Sequence, residues 1–334
     1  MELTAAMVDR AVGVVLGSAA GDAMGAPYEF GSADPDAPCE LEGGGGFRWE
    51  PGEWTDDTQM ALAVLSVLAE GSTDTEAMGR AMVRWYESRP VDVGNQTRAV
   101  LGDAARRGIG ASVAALAYQE QNPESAGNGA LMRTGPVALA HLGDRDAVAG
   151  LAASVASLTH PHRASVEACV LWSLAIEQAV MTSSEDEAFD WRSTMMAGLD
   201  HVDAARRGPW RTRIEEAHGR DPASYTHNNG WVIGAFEAAY ASITSTPVPA
   251  PSSAGTHLAD ALRMACRSGG DTDTVAAIAG SLLGARWGAS AVPMSWRQVL
   301  HGRRTYDEPA LRGDDLEALA RLAIAGQSEV LHAS

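Results

Sequence analysis

Apolar residues recur along most of the chain at the three- and four-residue spacing of helices with one buried face. The clearest run starts after Thr4, a predicted N-cap, and includes Met7, Val12 and Ala19. Further runs predict helices at Met60 to Leu68, Ala77 to Tyr86, Val113 to Tyr118, Val166 to Val180, Val232 to Ile243, Leu258 to Cys266, Val275 to Arg286 and Leu316 to Ile324. Val-, Ile- and Thr-rich segments of period two are almost absent, so the pattern predicts an all-α helical bundle.

Composition agrees with a compact globular protein. The 334 residues are 46% hydrophobic and 20% charged, and a chain of this size buries a core that needs neither disulfides nor structural zinc. Cys39, Cys169 and Cys266 are far apart and form no C-x-x-C motif, which argues against a thiolate metal site and favours the reducing cytoplasm. No segment is a clear linker, so we expect one domain over 1–334 with its core at about 7–327.

The charge of the chain excludes several functions. The net charge is −18, and all 25 basic residues are arginine. Without lysine, Schiff-base chemistry and a Walker-type phosphate loop are excluded, and an acidic surface disfavours nucleic acid as a partner. No basic segment precedes the first apolar stretch and no run of 18 apolar residues occurs, so neither export nor membrane insertion is expected. No heptad pattern indicates an oligomeric state.

Two similar acidic clusters each precede a predicted helix. One is Trp54-Thr-Asp-Asp-Thr58, and the other is Gly269-Gly-Asp-Thr-Asp-Thr274. Asp and Thr are favoured N-cap residues, so helix capping is the simpler interpretation of either cluster alone. Each cluster nevertheless supplies two carboxylates and two hydroxyls, whereas a cap needs one side chain.

The two clusters together suggest a metal centre. If they meet in space, four carboxylates share one cleft: Asp56, Asp57, Asp271 and Asp273. Two unit charges 5 Å apart repel by about 3 kcal/mol at an effective dielectric of about 20, so cations must neutralise them. Two divalent cations balance four negative charges, and oxygen-only ligands favour Mg²⁺ or Mn²⁺ over zinc or copper.

Two glycine-rich segments are candidate ligand-binding loops. The segment Ser125-Ala-Gly-Asn-Gly-Ala-Leu-Met-Arg133 is a small-residue turn whose backbone amides suit an anion such as phosphate at a helix start. The segment from Gly17 to Gly25 lacks the G-x-G-x-x-G spacing and follows no strand, so helix packing through small residues is the better interpretation. Asp22 and Glu29 receive no role from this pattern.

The ordered set of motifs resembles the ADP-ribosylglycohydrolase family, the ADP-ribosylhydrolases related to the dinitrogenase reductase-activating glycohydrolase. The matching motifs span nearly the whole chain: Gly21-Asp-Ala-Met-Gly25 with Glu29, Trp54 to Thr58, Asp92-Val-Gly-Asn95, Gly127 to Arg133, Thr159-His160-Pro161, Gly230-Trp-Val232 and Gly269 to Thr274. The resemblance implies a compact all-α fold with a cleft for two Mg²⁺ or Mn²⁺ ions. It also implies cleavage of the glycosidic bond between ADP-ribose and a protein arginine, a serine or another adduct, with release of ADP-ribose.

The resemblance further implies a role for each matching position. The implied metal ligands are Thr55, Asp56, Asp57, Asp271, Asp273 and Thr274. The implied substrate-binding residues are Ser125, Gly127, Asn128 and Gly129 around the diphosphate, Trp231 on adenine, Asn95 beside Asp92 at the distal ribose, and His160 in the cleft. Asp92, Glu29 and Asp57 are the candidate catalytic residues, with Asp92 or Glu29 as the acid/base group.

Each implied role has a structural alternative. Trp231 begins an apolar stretch and suits core packing, and His160 can satisfy a turn. Asp92 and Asn95 are common turn residues, and Glu29 follows Pro27 and can be solvated. Arg133, at the end of the glycine turn, is expected to pair with a structural carboxylate.

Three other function classes remain open. A non-catalytic relative would bind ADP-ribose without turnover, and a two-metal phosphoesterase would release phosphate or AMP instead of intact ADP-ribose. A calcium-stabilised helical protein is disfavoured because the clusters lack the D-x-D-x-D-G loop with its distal glutamate.

Overall fold

A computed structural model describes residues 3–182, 189–249 and 255–330, so residues 1–2 and 331–334 of the predicted domain lie outside it. Within these ranges the chain forms α1 Ala5–Gly25, α2 Asp56–Ala69, α3 Thr75–Glu87, α4 Asn95–Arg107, α5 Ala111–Gln121, α6 Arg145–Ser157, α7 Arg163–Met181, α8 Trp191–Met196, α9 Ala204–Ala217, α10 Val232–Ser245, α11 Thr256–Cys266, α12 Thr272–Trp287, α13 Met294–Val299 and α14 Gly313–Val330. A two-stranded antiparallel sheet pairs β1 His301–Gly302 with β2 Leu311–Arg312. The all-α prediction is confirmed.

Every apolar run identified in the sequence lies within one of these helices. The Thr4 hydroxyl accepts the Met7 amide at 3.3 Å, so the predicted N-cap of α1 is present. Helices α4, α6 and α9 were not predicted, although each exceeds ten residues. Helix α9 is polar and contains Pro209, and only Trp210, Ile214 and Ala217 of its residues are buried. Such a short apolar face gives little periodicity to detect.

Helices α1 and α12 form the centre of the core and pack at unusually short range. A Cβ added at Gly17 would lie 2.4 Å from the Gly280 carbonyl oxygen, and one added at Gly284 would lie 1.8 Å from the Gly13 carbonyl oxygen. No side chain fits at these distances, so the interface requires glycine. The interpretation of the Gly17 to Gly25 segment as a packing surface is confirmed.

Helix α7 is buried beside this pair. The Trp172 indole donates to the Ile278 carbonyl oxygen at 3.1 Å and packs edge-on against Phe236 of α10. By length and composition alone α7 could cross a membrane, but 83% of its most apolar window is buried inside the protein. Such burial is typical of the core helix of a globular protein.

The segment between α1 and α2 lies against the segment that precedes α12. The Phe30 amide donates to the Gly270 carbonyl oxygen at 2.7 Å, and the Gly270 amide donates to the Gly31 carbonyl oxygen at 2.8 Å. Gly269 has a φ of +70°, and a Cβ there would lie 2.3 Å from the Ala33 amide nitrogen. This contact holds Glu29 next to the start of α12.

Candidate active site

The two acidic clusters meet at the centre of the molecule. Helix α2 begins at Asp56 and α12 begins at Thr272, and both first turns lie beside the end of α1. One carboxylate oxygen from each of Asp22, Asp57 and Asp273 lies within 4.8 Å of the other two. The juxtaposition on which the predicted site depends is therefore present.

Asp22 of α1 fixes the start of α2. Its carboxylate accepts the Thr55 amide at 2.9 Å and the Thr55 hydroxyl at 2.7 Å. It also accepts the Thr58 amide at 2.9 Å and the Thr58 hydroxyl at 2.6 Å. With four donors around it and no exposed surface, Asp22 positions the cluster that carries Asp57.

A second group of carboxylates faces the open side of the cluster. Single carboxylate oxygens of Glu29, Asp92 and Asp273 lie within 4.8 Å of one another. Asp273 is thus shared by both groups. The Glu29 Oε2 atom is buried and has no hydrogen-bond partner within the described part of the protein.

These carboxylates form the floor of a cavity of about 520 Å³, a volume typical of small-molecule sites. It is lined by Glu29, Phe30, Asp56, Asp92, Val93, Gly94, Asn95, Gln96, Thr97, Arg98, Tyr118, Ser125, Gly127, Asn128, Gly129, Met132, His160, Gly230, Asp271, Asp273 and Thr274. The cavity therefore joins the acidic clusters to the glycine turn and to the start of α4.

The glycine turn is held from behind by three side chains. The Gln96 amide oxygen accepts the Ser125 hydroxyl at 2.9 Å, and Arg133 donates to the Gly129 carbonyl oxygen at 2.8 Å. A Cβ added at Gly129 would lie 3.0 Å from the His160 Cε1 atom. No α-helix starts here, because residues 129–133 form turns that lead to a 3₁₀ helix at Gly135–His141.

Arg133 contacts carbonyl oxygens instead of the carboxylate expected from the sequence. Its side chain is fully buried and donates to the carbonyl oxygens of Gly129 and Val155. Burial lowers the pKa of Arg133 to about 10, so the guanidinium stays charged at neutral pH. Burial and this neighbouring charge lower the pKa of His160 well below its usual range, which leaves the imidazole neutral.

The start of α12 is tied to the glycine turn. The Asn128 amide donates to Asp271 Oδ2 at 2.7 Å and to the Asn229 carbonyl oxygen at 2.9 Å. The Asp271 amide in turn donates to the Asn229 side-chain oxygen at 3.1 Å. Asp271 and Asn128 therefore share one hydrogen-bonded unit.

Most, but not all, of the predicted site residues line the cavity. Thr55 and Asp57 lie behind its floor, and Trp231 is not part of its lining. Trp231 stands at the N-cap of α10 with 39% of its surface exposed, and its backbone pairs with Gly127. Its indole is therefore neither a core side chain nor in the cavity.

Comparison with known proteins agrees with this arrangement. The model of the ADP-ribosylglycohydrolase family matches residues 3–330. This chain belongs to the ADP-ribosylglycohydrolase family.

Relatives within the ADP-ribosylglycohydrolase family match over most of their length. The chain is 30% identical to the ADP-ribosylarginine hydrolase Tri1 of Pseudomonas putida (strain GB-1), over 86% of this chain and 73% of that protein. It is also 30% identical to the ADP-ribosyl-[dinitrogen reductase] glycohydrolase of Rhodospirillum rubrum, over 87% of this chain and 90% of that protein. A solved ADP-ribosylglycohydrolase-related protein complex aligns with a TM-score of 0.75 and 28% identity, covering 96% of this chain and 99% of that one.

The donor atoms of this ADP-ribosylglycohydrolase fold fit a hard divalent cation. Asp57 Oδ1 is buried and has no hydrogen-bond partner in the part of the protein that the structure describes. Among the same residues, no arginine or histidine forms an ion pair with Asp56, Asp57 or Asp273. Carboxylate oxygens that are buried without a counter-charge are the ligands that magnesium and manganese prefer.

The carboxyl groups also carry strongly shifted pKa values. Burial raises the pKa of Asp22 to about 6 and that of Glu29 to about 9. Burial, followed by repulsion from neighbouring carboxylates, raises the pKa of Asp56, Asp57 and Asp273 well above the usual range. Without a cation, bound protons would therefore offset part of the negative charge of the cluster.

Several side chains of the site, among them Asp22, Gln96, Tyr118 and Phe30, were not found from the sequence. Asp22 carries a signal, because a carboxylate near the end of a buried small-residue helix needs a partner. Gln96 and Tyr118 carry none, since each stands on an ordinary helix and reaches the cavity only through the packing of α4 and α5. Phe30 follows Glu29 and is placed by the bridge to Gly270.

Proposed function

We propose that this protein is a divalent-metal-dependent ADP-ribosylhydrolase that cleaves the glycosidic bond between ADP-ribose and a modified group. The observation that carries the proposal is the cavity in which Asp56, Asp271 and Asp273 lie next to the glycine turn at Gly127 and Gly129. This combination suits a ligand with a sugar at one end and a diphosphate beside it. The activities named for the relatives support the same reaction class.

The substrate is positioned by the turn and by α4. The diphosphate lies against the glycine turn formed by Ser125, Gly127 and Gly129, and the buried Arg133 charge stabilises it from behind. Asp92 and Asn95 contact the distal ribose. Asn128 supports the turn, and His160 packs beneath it as a neutral ring. We place the base toward Tyr118 of the cavity lining, with the exposed Trp231 outside that lining beside the glycine turn.

Cleavage at the anomeric carbon passes through an oxocarbenium-like transition state, and a carboxyl group must handle a proton there. Glu29 and Asp92 are the two candidates, because both face Asp273 within 4.8 Å. Asp57 does not line the cavity, and its proposed role is to complete the carboxylate group that it forms with Asp22 and Asp273 behind the floor. The variants Glu29→Gln and Asp92→Asn distinguish the two candidates. The variant that lacks the acid/base group should have a strongly reduced kcat, and the other variant should mainly have a raised KM.

We propose two Mg²⁺ or Mn²⁺ ions as cofactors, held by Thr55, Asp56, Asp57, Asp271, Asp273 and Thr274. Bound there, the ions would orient the ribose hydroxyls and a water and stabilise developing charge. The chain's own part is to present these oxygens in a buried, fixed arrangement, with Asp22 holding the start of α2.

The decisive experiment is a product assay on ADP-ribose linked to arginine, to serine and to nucleic acid, with magnesium, with manganese and with chelator. We expect release of intact ADP-ribose from at least one conjugate and loss of activity with chelator. Asp273→Asn should lower kcat at least about 100-fold with an unchanged circular dichroism spectrum, and Asp314→Asn, on the exposed first turn of α14, serves as the matched control.

Other outcomes identify the alternatives. Release of phosphate or AMP would make the protein a phosphoesterase, and binding of ADP-ribose without turnover of any conjugate would make it a binding protein. Near-normal activity of Asp273→Asn would contradict the metal assignment. We further propose that residues 1–334 act as one domain and that the protein works in the cytoplasm.

A further inference from the structure

Phe30 combines two unfavourable features at the mouth of the cavity. Its side chain is 76% exposed, the highest value among the large apolar residues described. Its φ is +60°, in the left-handed region that bulky L-residues rarely adopt. Cys39, Arg48 and Arg89 share a positive φ, but of these four described residues only Phe30 lines the cavity. Neither packing nor backbone preference accounts for phenylalanine here.

The backbone holds this aromatic ring at a defined place. The Phe30 amide donates to the Gly270 carbonyl oxygen at 2.7 Å, one residue before Asp271. On its other side stands Glu29, whose buried Oε2 has no partner among the described residues. Strained residues that persist in a fixed backbone are concentrated at functional sites. The Phe30 ring therefore lies at the mouth of the cavity, next to the carboxylates of its floor.

The position of the ring determines which part of a substrate it meets. The proposed function puts the diphosphate on the glycine turn and the distal ribose over Asp92 and Asp273. One Glu29 carboxylate oxygen lies within 4.8 Å of an oxygen of each of these two residues, and Phe30 lines the same cavity, so we infer that the group joined to the anomeric carbon points toward them. A guanidinium is flat and charged, and it is attracted both to an aromatic face and to a carboxylate. The neutral oxygen and short aliphatic stem of a serine offer neither interaction.

We propose that Phe30 is a specificity-determining residue whose ring packs against the departing group and favours a planar guanidinium over an aliphatic alcohol. The inference rests on the proposed hydrolase function and adds the chemical class of the group that is released. In this proposal Phe30 determines which group is accepted, and the carboxyl groups of the cavity floor carry out the bond cleavage.

The test compares Phe30→Leu with the wild-type protein on arginine-linked and serine-linked ADP-ribose. Cation–π contacts of this kind correspond to about a three- to thirtyfold change, so kcat/KM for the arginine conjugate should fall by that factor, mainly through KM. The value for the serine conjugate should change less than about twofold. Phe47→Leu is the matched control, because Phe47 is 38% exposed in the same inter-helix segment but lies outside the cavity lining.

A second variant separates selectivity from structure. Phe30→Gly relieves the left-handed backbone, so Tm should rise by about 1 to 3 °C while the preference for the arginine conjugate is lost. A fall in the Tm of Phe30→Gly overturns the role of Phe30. An equal loss of kcat/KM on both conjugates, or no loss of kcat/KM on either, overturns it as well. A wild-type protein that cleaves only the serine conjugate overturns it as well. A wild-type protein that cleaves neither conjugate, and no other, instead contradicts the hydrolase proposal on which this inference rests.

Discussion

The Thr58 hydroxyl donates to Asp22 Oδ2 at 2.6 Å, across 36 positions of sequence. The Thr58 amide reaches the same oxygen at 2.9 Å, so the first turn of α2 is capped by a residue of α1. Thr55, the N-cap residue of α2, makes no side-chain cap of its own. The orientation of Asp56 and Asp57 therefore depends on a carboxylate from another helix.

Replacing Asp22 should destabilise the protein even though the new side chain has the same shape. In Asp22→Asn the amide nitrogen cannot accept hydrogen bonds from Thr55 and Thr58, and hydrogen bonds to charged groups contribute about 1.5 to 3 kcal/mol each. We expect a loss of about 2 to 4 kcal/mol in the free energy of unfolding, measured in urea with chelator present. Asp74→Asn, at the exposed N-cap of α3, should change it by less than about 0.5 kcal/mol, since Asp and Asn cap equally well. Equal values for the two variants would contradict the role of Asp22.

The glycine contacts between α1 and α12 predict opposite effects for two chemically identical substitutions. In Gly17→Ala the new Cβ meets the Gly280 carbonyl oxygen at 2.4 Å, so the helices must separate, at a cost of about 1 to 3 kcal/mol. In Gly150→Ala, on α6, nothing lies within 4 Å of the new Cβ, and stability should rise by about 0.5 to 1 kcal/mol. Thermal unfolding of both variants checks the difference in sign.

The chelated protein should become less stable as the pH rises from 7 to 9. Burial raises the pKa of Glu29 to about 9, and it raises those of Asp57 and Asp273 well above their usual range. A carboxyl group whose folded-state pKa is raised stabilises the fold while it is protonated, and this contribution is lost as the pH rises through the folded-state pKa. Each such group changes the free energy of unfolding by up to about 1.4 kcal/mol per pH unit.

The measurement is Tm against pH, with chelator and with excess magnesium. The histidines whose pKa is lowered by burial, such as His257, have the opposite effect only below about pH 6.5, so the window begins at pH 7. Bound cations replace the protons, and the difference between the two curves should therefore widen toward pH 9. A difference that is constant or narrows over this window would show that the carboxylates do not hold the metal.

Loss of Gln96 should weaken substrate binding more than it slows turnover. Its amide group accepts the Ser125 hydroxyl at 2.9 Å and donates to the Thr159 carbonyl oxygen at 3.1 Å. In Gln96→Ala the glycine turn loses this support, so KM should rise about 5- to 50-fold, with kcat reduced less than about threefold. Steady-state kinetics check this split, and Gln121→Ala, at the exposed end of α5, is the control that should leave both constants unchanged.

Apolar periodicity predicted the helices whose buried face is broad, and it failed where that face is narrow. In α4 only Gln96, Thr97, Val100, Leu101 and Ala104 are buried, and two of these are polar. In the cavity, a metal centre could be predicted because ionised carboxylates that share one cleft repel one another strongly, and cations relieve that repulsion. The structure brings the two acidic clusters together, with Asp57 and Asp273 oxygens within 4.8 Å of each other.

The remaining site residues could not be predicted because tertiary packing alone brings them to the cavity. Tyr118 is half-buried at the polar end of α5, and nothing in its sequence neighbours distinguishes it from the other tyrosines. Trp231 shows the reverse case, since its motif matches the family while its side chain lies outside the cavity lining. A motif identifies a position in the chain, whereas the direction of a side chain is set by the helices packed around it.

Because α1 and α12 are so close together, their interface tolerates few substitutions, whereas the connecting segments around the cavity tolerate many. Asp22 and Asp273 stand on these two helices, so any side chain that wedged them apart would also pull the carboxylates out of mutual reach. Changes in the accepted ligand are therefore expected in the connecting segments that border the cavity. The same carboxylate centre can in this way persist while the accepted adducts change.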